Sequence, residues 1–174
     1  MADGEYEVNL PGTSEPLLRV KTRSDVFFPT DTSMLIIEAC RKVIQQPGKT
    51  LDLGCGCGVI GLTLAEWGLC SRPFSASDVS PVAVNLTLEN AKVRGIDCIA
   101  RAGSLFEPWR GETFDCIVDD ISGISDDIAQ LSPWFPNGVP CGADIKADGG
   151  GGHRVCQEIR HVHLVDQGLC GVAR

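Results

Sequence analysis

Leu51-Asp52-Leu53-Gly54-Cys55-Gly56-Cys57-Gly58 is the stretch from which the rest of the chain is best read. Thr50 to Leu53 has the short apolar character of a buried strand, and the glycines break it abruptly. A helix is expected from Val59 to Trp67, closed by Gly68. Three glycines at alternate positions let the backbone turn sharply and let a ligand approach without meeting a Cβ. The helix that follows at once would turn its free N–H groups toward that ligand.

Outward from this turn, strands and helices alternate. Pro73 to Asp78 reads as a second strand ending in an acid, and Ser80-Pro81 as an N-cap with proline at the first helical position. The next helix runs from Pro81 to Arg94 and stops at Gly95. Ile96–Ala102 and Phe114–Val118 read as a third and a fourth strand, the latter ending at Asp119-Asp120. Arg154 to about Val165 reads as a helix and Leu169–Ala173 as a fifth strand. Before the glycine turn, Asp31 or Thr32 caps a helix with Leu35, Ile36, Ala39, Cys40 and Val43 on its apolar positions. The pattern predicts an α/β fold with a doubly wound, mostly parallel sheet. In such sheets ligands sit beyond the carboxyl ends of the strands, where strand order reverses. The chemistry is therefore expected after Leu53, after Ser77 and after Val118.

Composition bounds the remainder. The chain has 174 residues, 43% hydrophobic and 22% charged, which suits one soluble domain rather than disorder. Its longest apolar runs fall far short of the roughly 20 residues that span a bilayer, and the acidic start lacks a secretory signal. The net charge of −8 argues against tight, nonspecific nucleic-acid binding. Nine cysteines without a signal segment imply reduced thiols and a cytoplasmic protein. Cys55-x-Cys57 is too close for zinc spacing, and no metal is expected.

Asp78 lies 20 residues past Gly58 at the end of the next strand, where a carboxylate can accept both hydroxyl hydrogens of a ribose. Two ligands compete. Gly56-x-Gly58-x-x-Gly61 satisfies a dinucleotide fingerprint, which would make the chain an NAD-binding oxidoreductase. That turn would begin two residues late, however. Asp52, two positions before the first glycine, suits a cationic ligand such as the aminocarboxypropyl arm and sulfonium of S-adenosylmethionine.

Residues 51–90 resemble a class I S-adenosylmethionine-dependent methyltransferase. The Leu51–Gly58 stretch matches that family's first motif, and Asp78-Val79-Ser80-Pro81-x-Ala83-Val84, continuing to Asn90-Ala91, matches its second. Val26-Phe27-Phe28-Pro29-Thr30-Asp31-Thr32 and Gly103-Ser104-Leu105-Phe106-Glu107-Pro108 are similar to segments of the release-factor (protein glutamine) methyltransferases. The resemblance implies a Rossmann-like methyltransferase domain over residues 26–174; the segment before it, 1–25, starts polar and rich in turn residues and is expected to be loosely ordered. It implies that Asp52 with Gly54, Cys55, Gly56 and Gly58 holds the methionine part. Asp78 would hold the ribose, Val79 would pack on the adenine, and Ser104 and Leu105 would lie at its edge.

Three positions depart from the subgroup. Ser104 stands where the subgroup has an aspartate. Asp120-Ile121-Ser122-Gly123 stands where it has Asn-Pro-Pro-Tyr, so Asp120 is the candidate catalytic group. The chain stops at Arg174, right after the fifth strand, where the family sheet continues. The expectation is a sheet lacking the family's last two strands and leaving an uncovered edge, with three readings open: a fragment, copies of the chain associating through that edge, or a degenerate member. The function implied is methyl transfer to a nitrogen or oxygen acceptor, a protein or a small molecule, with a protein glutamine amide favoured by the likeness. A catalytically degenerate partner or scaffold protein is the alternative. His161-x-His163 reads as surface histidines on a helix, Gly149–Gly152 as a hinge, and Trp134-Phe135-Pro136 as either an acceptor-pocket lining or a cover for the core.

Overall fold

The computed structural model describes residues 3–9, 18–120, 161–166 and 169–172, with side chains through Asp120. Four strands form a parallel core: β3 (Thr50–Leu53), β4 (Phe74–Asp78), β5 (Cys98–Ala102) and β6 (Cys116–Asp119). Helix α1 (Asp31–Val43) precedes β3, α2 (Val59–Glu66) joins β3 to β4, and α3 (Pro81–Arg94) joins β4 to β5. A short 3-10 turn, Glu107–Trp109, lies between β5 and β6. The sheet also contains β7 (His161–Asp166) and β8 (Leu169–Val172), in the order β5-β4-β3-β6-β7-β8. The chain moves outward from β3 to β5 and then returns to lay β6 beside β3. The order therefore reverses between β3 and β6, the point beyond whose carboxyl ends ligands bind in sheets of this kind.

The α/β class expected from the sequence is the one observed, with differences at both ends. β7 pairs antiparallel with β6, and β8 antiparallel with β7. The expected helix over Arg154–Val165 is thus a strand from His161 onward, and among the described residues the sheet has six strands where five were expected. His161-Val162-His163-Leu164 alternates with a period of two, the periodicity of a strand rather than a helix. Positions 161 and 163 consequently share one face of the sheet, contrary to the helical placement. Residues 154–160, Gly149–Gly152 and Trp134–Pro136 lie outside the described residues.

The second difference is at the start, where loosely ordered chain was expected. β1 (Gly4–Val8) and β2 (Leu18–Thr22) form an antiparallel pair, with Tyr6 opposite Val20 and Val8 opposite Leu18. Leu18, Val20 and Thr22 are buried while Arg19 and Lys21 face outward. That alternation gives the pair an apolar side to bury, so it docks instead of remaining loose. The Tyr6 ring also meets Phe28 edge-on at 5.4 Å.

Helix α2 is buried from Val59 through Ala65 because it contacts α1, β2, β3 and β4. Its approach to the sheet depends on Gly61. A Cβ there would fall on the Phe74 ring and lie 2.9 Å from Asp52 Oδ2. Gly61→Ala is expected to cost about 1–3 kcal/mol by overpacking, outweighing alanine's better helix propensity. Urea denaturation should show a lower midpoint at unchanged slope. Equal or greater stability would show that helix and sheet have room to separate.

Candidate functional site

The loop between β3 and α2 is built by glycines in the left-handed region: Gly54 at φ 78°, Gly56 at 54° and Gly58 at 82°. Residues with a Cβ rarely hold these angles. The Gly54 and Cys55 N–H groups both donate to the Ser77 carbonyl, at 2.8 and 2.9 Å, which ties the loop to the end of β4. The Gly58 N–H turns back to the Cys55 carbonyl at 2.6 Å. Among the described residues, a Cβ on Gly56 would meet only the Phe27 carbonyl oxygen, at 3.7 Å.

Asp78 reaches this loop from β4. Its Oδ2 accepts the Gly56 N–H at 3.0 Å and its Oδ1 accepts the Ser80 N–H at 2.9 Å. A carboxylate offers about four lone-pair positions, so two acceptor sites remain for a diol. Val79, next along, is 64% exposed although apolar, and presents an uncovered surface beside the carboxylate. Ser80 caps α3, its hydroxyl accepting the Ala83 N–H at 3.4 Å. After β5, the Gly103 N–H donates to the Asp78 carbonyl at 3.0 Å, which brings the Ser104–Leu105 turn to the same end of the sheet. Leu105 holds a positive φ of 46°, an uncommon conformation for a branched side chain.

Asp52 lies beneath the loop, 1% exposed, and its Oδ2 accepts the Gly61 N–H at 2.9 Å. Burial pushes its carboxyl up to about 7. The Gly61 N–H opposes that shift, and the carboxylates of Asp120, Asp78 and Asp119 add to it. Cys55 and Cys57 are buried thiols, both pushed upward by burial, Cys57 to about 12. They remain protonated near neutrality and are not nucleophiles. Among the described residues no three His, Cys, Asp or Glu side chains form a metal cluster.

Asp119 ends β6 opposite Leu53, the last residue before the glycine loop, and Asp120 follows it. Asp120 Oδ2 accepts the Ser33 hydroxyl at 2.8 Å, joining β6 to the first turn of α1. Sequence reasoning missed Ser33, because a contact between positions 87 residues apart leaves no local signature. The structure thus brings Asp52, Gly54, Cys55, Gly56, Gly58, Asp78 and Asp120 to one end of the sheet. Val79, Ser104 and Leu105 follow β4 and β5 at that same end.

Residues 18–120 match the methyltransferase small domain family, and the chain belongs to it. The release factor glutamine methyltransferase of Aquifex aeolicus is 33% identical over 120 residues, covering 65% of this chain and 41% of that protein. The ribosomal protein L11 methyltransferase of Caldicellulosiruptor bescii is 29% identical over 102 residues, covering 59% and 32% respectively. This chain spans under half the length of either relative. A T. thermophilus 16S rRNA methyltransferase, solved in complex with AdoMet and guanosine, shares the fold at a TM-score of 0.56 and 19% identity. It covers 67% of this chain and 32% of its own. An rRNA enzyme on this fold removes the support for excluding nucleic acid on charge alone. No helix among the described residues is long and apolar enough to cross a membrane.

Proposed function

We propose that this chain binds S-adenosylmethionine in the Gly54–Gly58 bend and transfers its methyl group to a nitrogen or oxygen acceptor. The observation that carries this reading is the pairing of a left-handed glycine bend with the Asp78 carboxylate bonded to Gly56 N–H. S-adenosylmethionine calls on both features: backbone without side chains for its amino-acid tail, and a fixed carboxylate for its ribose. Gly56, which lacks a side chain and has only the Phe27 carbonyl oxygen near its Cβ position among the described residues, and the exposed apolar Val79 fit the tail and the adenine. Asp52, Gly54, Cys55, Gly56 and Gly58 would hold the methionine part, with Ser104 and Leu105 at the adenine edge. When bound, the sulfonium supplies an already activated methyl group.

The protein's own work is then alignment, which supplies much of the barrier reduction for such a transfer. Asp120, at the end of β6 and held by the Ser33 hydroxyl, orients the acceptor through an N–H or O–H and can take its proton. By analogy with the Aquifex aeolicus relative, a protein glutamine amide is the first acceptor to try.

The test is calorimetry with S-adenosylhomocysteine alongside transfer of labelled methyl to a glutamine-bearing peptide and to a cell extract. The wild type should bind and transfer. Asp120→Ala should lower transfer on the order of 10²-fold while leaving S-adenosylhomocysteine affinity within about twofold. Binding without any transfer would favour a noncatalytic partner role. A wild type that binds NAD instead would overturn the methyltransferase reading.

A further inference from the structure

We propose that Asn90 is a positioning residue that locks the glycine loop to strand β2, so that filling the loop and docking the N-terminal hairpin stabilise each other. The inference rests on the reading of that loop as the cofactor site. Asn90 sits on α3 and is 3% exposed. Its Oδ1 accepts the Lys21 N–H at 2.9 Å. Its Nδ2 donates to the Lys21 carbonyl at 3.0 Å and to the Cys57 carbonyl at 2.9 Å. Both amide hydrogens and the amide oxygen are therefore engaged, and every partner is backbone. Toward Lys21 the side chain does what a neighbouring strand residue would do, giving one N–H and taking another. Toward Cys57 it holds the loop itself.

Thr87, one turn earlier on the same helix face, extends the grip. Its hydroxyl donates to the Gly56 carbonyl at 3.1 Å, and its Cγ2 would lie 2.9 Å from a Cβ on Gly58. Two consecutive loop carbonyls, Gly56 and Cys57, are thus drawn toward α3. Because each peptide group is planar and trans, the Cys57 N–H that follows the Gly56 carbonyl points away from α3, while the Gly58 N–H is taken by the Cys55 carbonyl within the loop. The chain leaving β2 also passes beside the loop, as the 3.7 Å approach of the Phe27 carbonyl oxygen to a Cβ on Gly56 shows. A change at the loop therefore reaches the hairpin along two short routes, through Asn90 and through residues 23–28.

Such a coupling is reciprocal: ligand must protect the hairpin by the same factor by which hairpin docking favours ligand. In the wild type, saturating S-adenosylhomocysteine should slow amide hydrogen exchange across Leu18–Thr22 by about fivefold or more. Asn90→Leu should abolish that protection and weaken binding by a similar factor. Thr87→Val should weaken binding roughly 2- to 10-fold, and Thr87→Ser, which keeps the hydroxyl, should restore it. The Thr87 pair and the wild-type exchange experiment decide the matter even if Asn90→Leu does not fold. If the wild type binds but its hairpin exchange is unchanged by ligand, or Thr87→Val binds as well as Thr87→Ser, the coupling is overturned while the cofactor reading stands. A wild type that does not bind S-adenosylhomocysteine overturns both.

Discussion

Asp78→Ala is expected to weaken S-adenosylhomocysteine binding by roughly 10- to 150-fold, or about 1.5–3 kcal/mol, in a calorimetric titration. Two losses combine. The carboxylate would grip the ribose through charge-assisted hydrogen bonds, which are stronger than neutral ones. It also holds Gly56 N–H at 3.0 Å and Ser80 N–H at 2.9 Å, so its removal frees both the glycine bend and the start of α3. Asp78→Asn separates the two losses, because the amide oxygen can keep one backbone N–H but the side chain loses its charge. It should bind with intermediate affinity. Affinity for Asp78→Ala equal to that of the wild type would place the ribose elsewhere and remove the foundation of the functional reading.

The parts of this site that were legible in the sequence are those made by neighbours in the chain. Gly54, Gly56 and Gly58 announce a turn because their spacing has few other uses, and all three adopt positive φ. Ser80-Pro81 and Gly95 bound α3 at the expected residues, since caps act over three or four positions. The hairpin was legible in principle: Leu18-Arg19-Val20-Lys21-Thr22 alternates cleanly, but the run is short and its partner strand reads Gly-Glu-Tyr-Glu-Val, with little apolar character. What stabilises it is distant, the Asn90 amide 69 residues away. Ser33 and Asp120, 87 residues apart, illustrate the same limit. Each contact depends on which distant elements become neighbours, and a single sequence fixes local periodicity better than it fixes that. β7 shows the converse: four residues, His161 to Leu164, alternate polar and apolar, a run too short to set a strand apart from a helix by periodicity.

Asp52 gives the sharpest pH prediction. Its carboxyl is held near 7 in the folded chain, mainly by burial, against an ordinary value of 3.8. A raised acid binds its proton more tightly when folded, so the native state carries more protons than the unfolded chain between these values. Stability linked to Asp52 is therefore full below about pH 4, declines as pH rises, and levels off above 7. Three units correspond to at most about 4 kcal/mol. Asp52→Asn keeps an oxygen for the Gly61 N–H but removes the titration. Its stability relative to the wild type, measured by urea denaturation, should increase from pH 4 to pH 7 and then stay constant. A difference that does not vary with pH would show that Asp52 titrates as an ordinary carboxyl. The same linkage bears on function. A cationic ligand beside Asp52 favours the ionised form, so the affinity of S-adenosylmethionine should rise over that pH range in the wild type and lose this rise in Asp52→Asn. A buried acid that weakens the fold at neutral pH would then be retained because a positively charged ligand offsets its cost when bound, which is why the ligand-binding arm of the experiment, and not stability alone, assigns Asp52 its role.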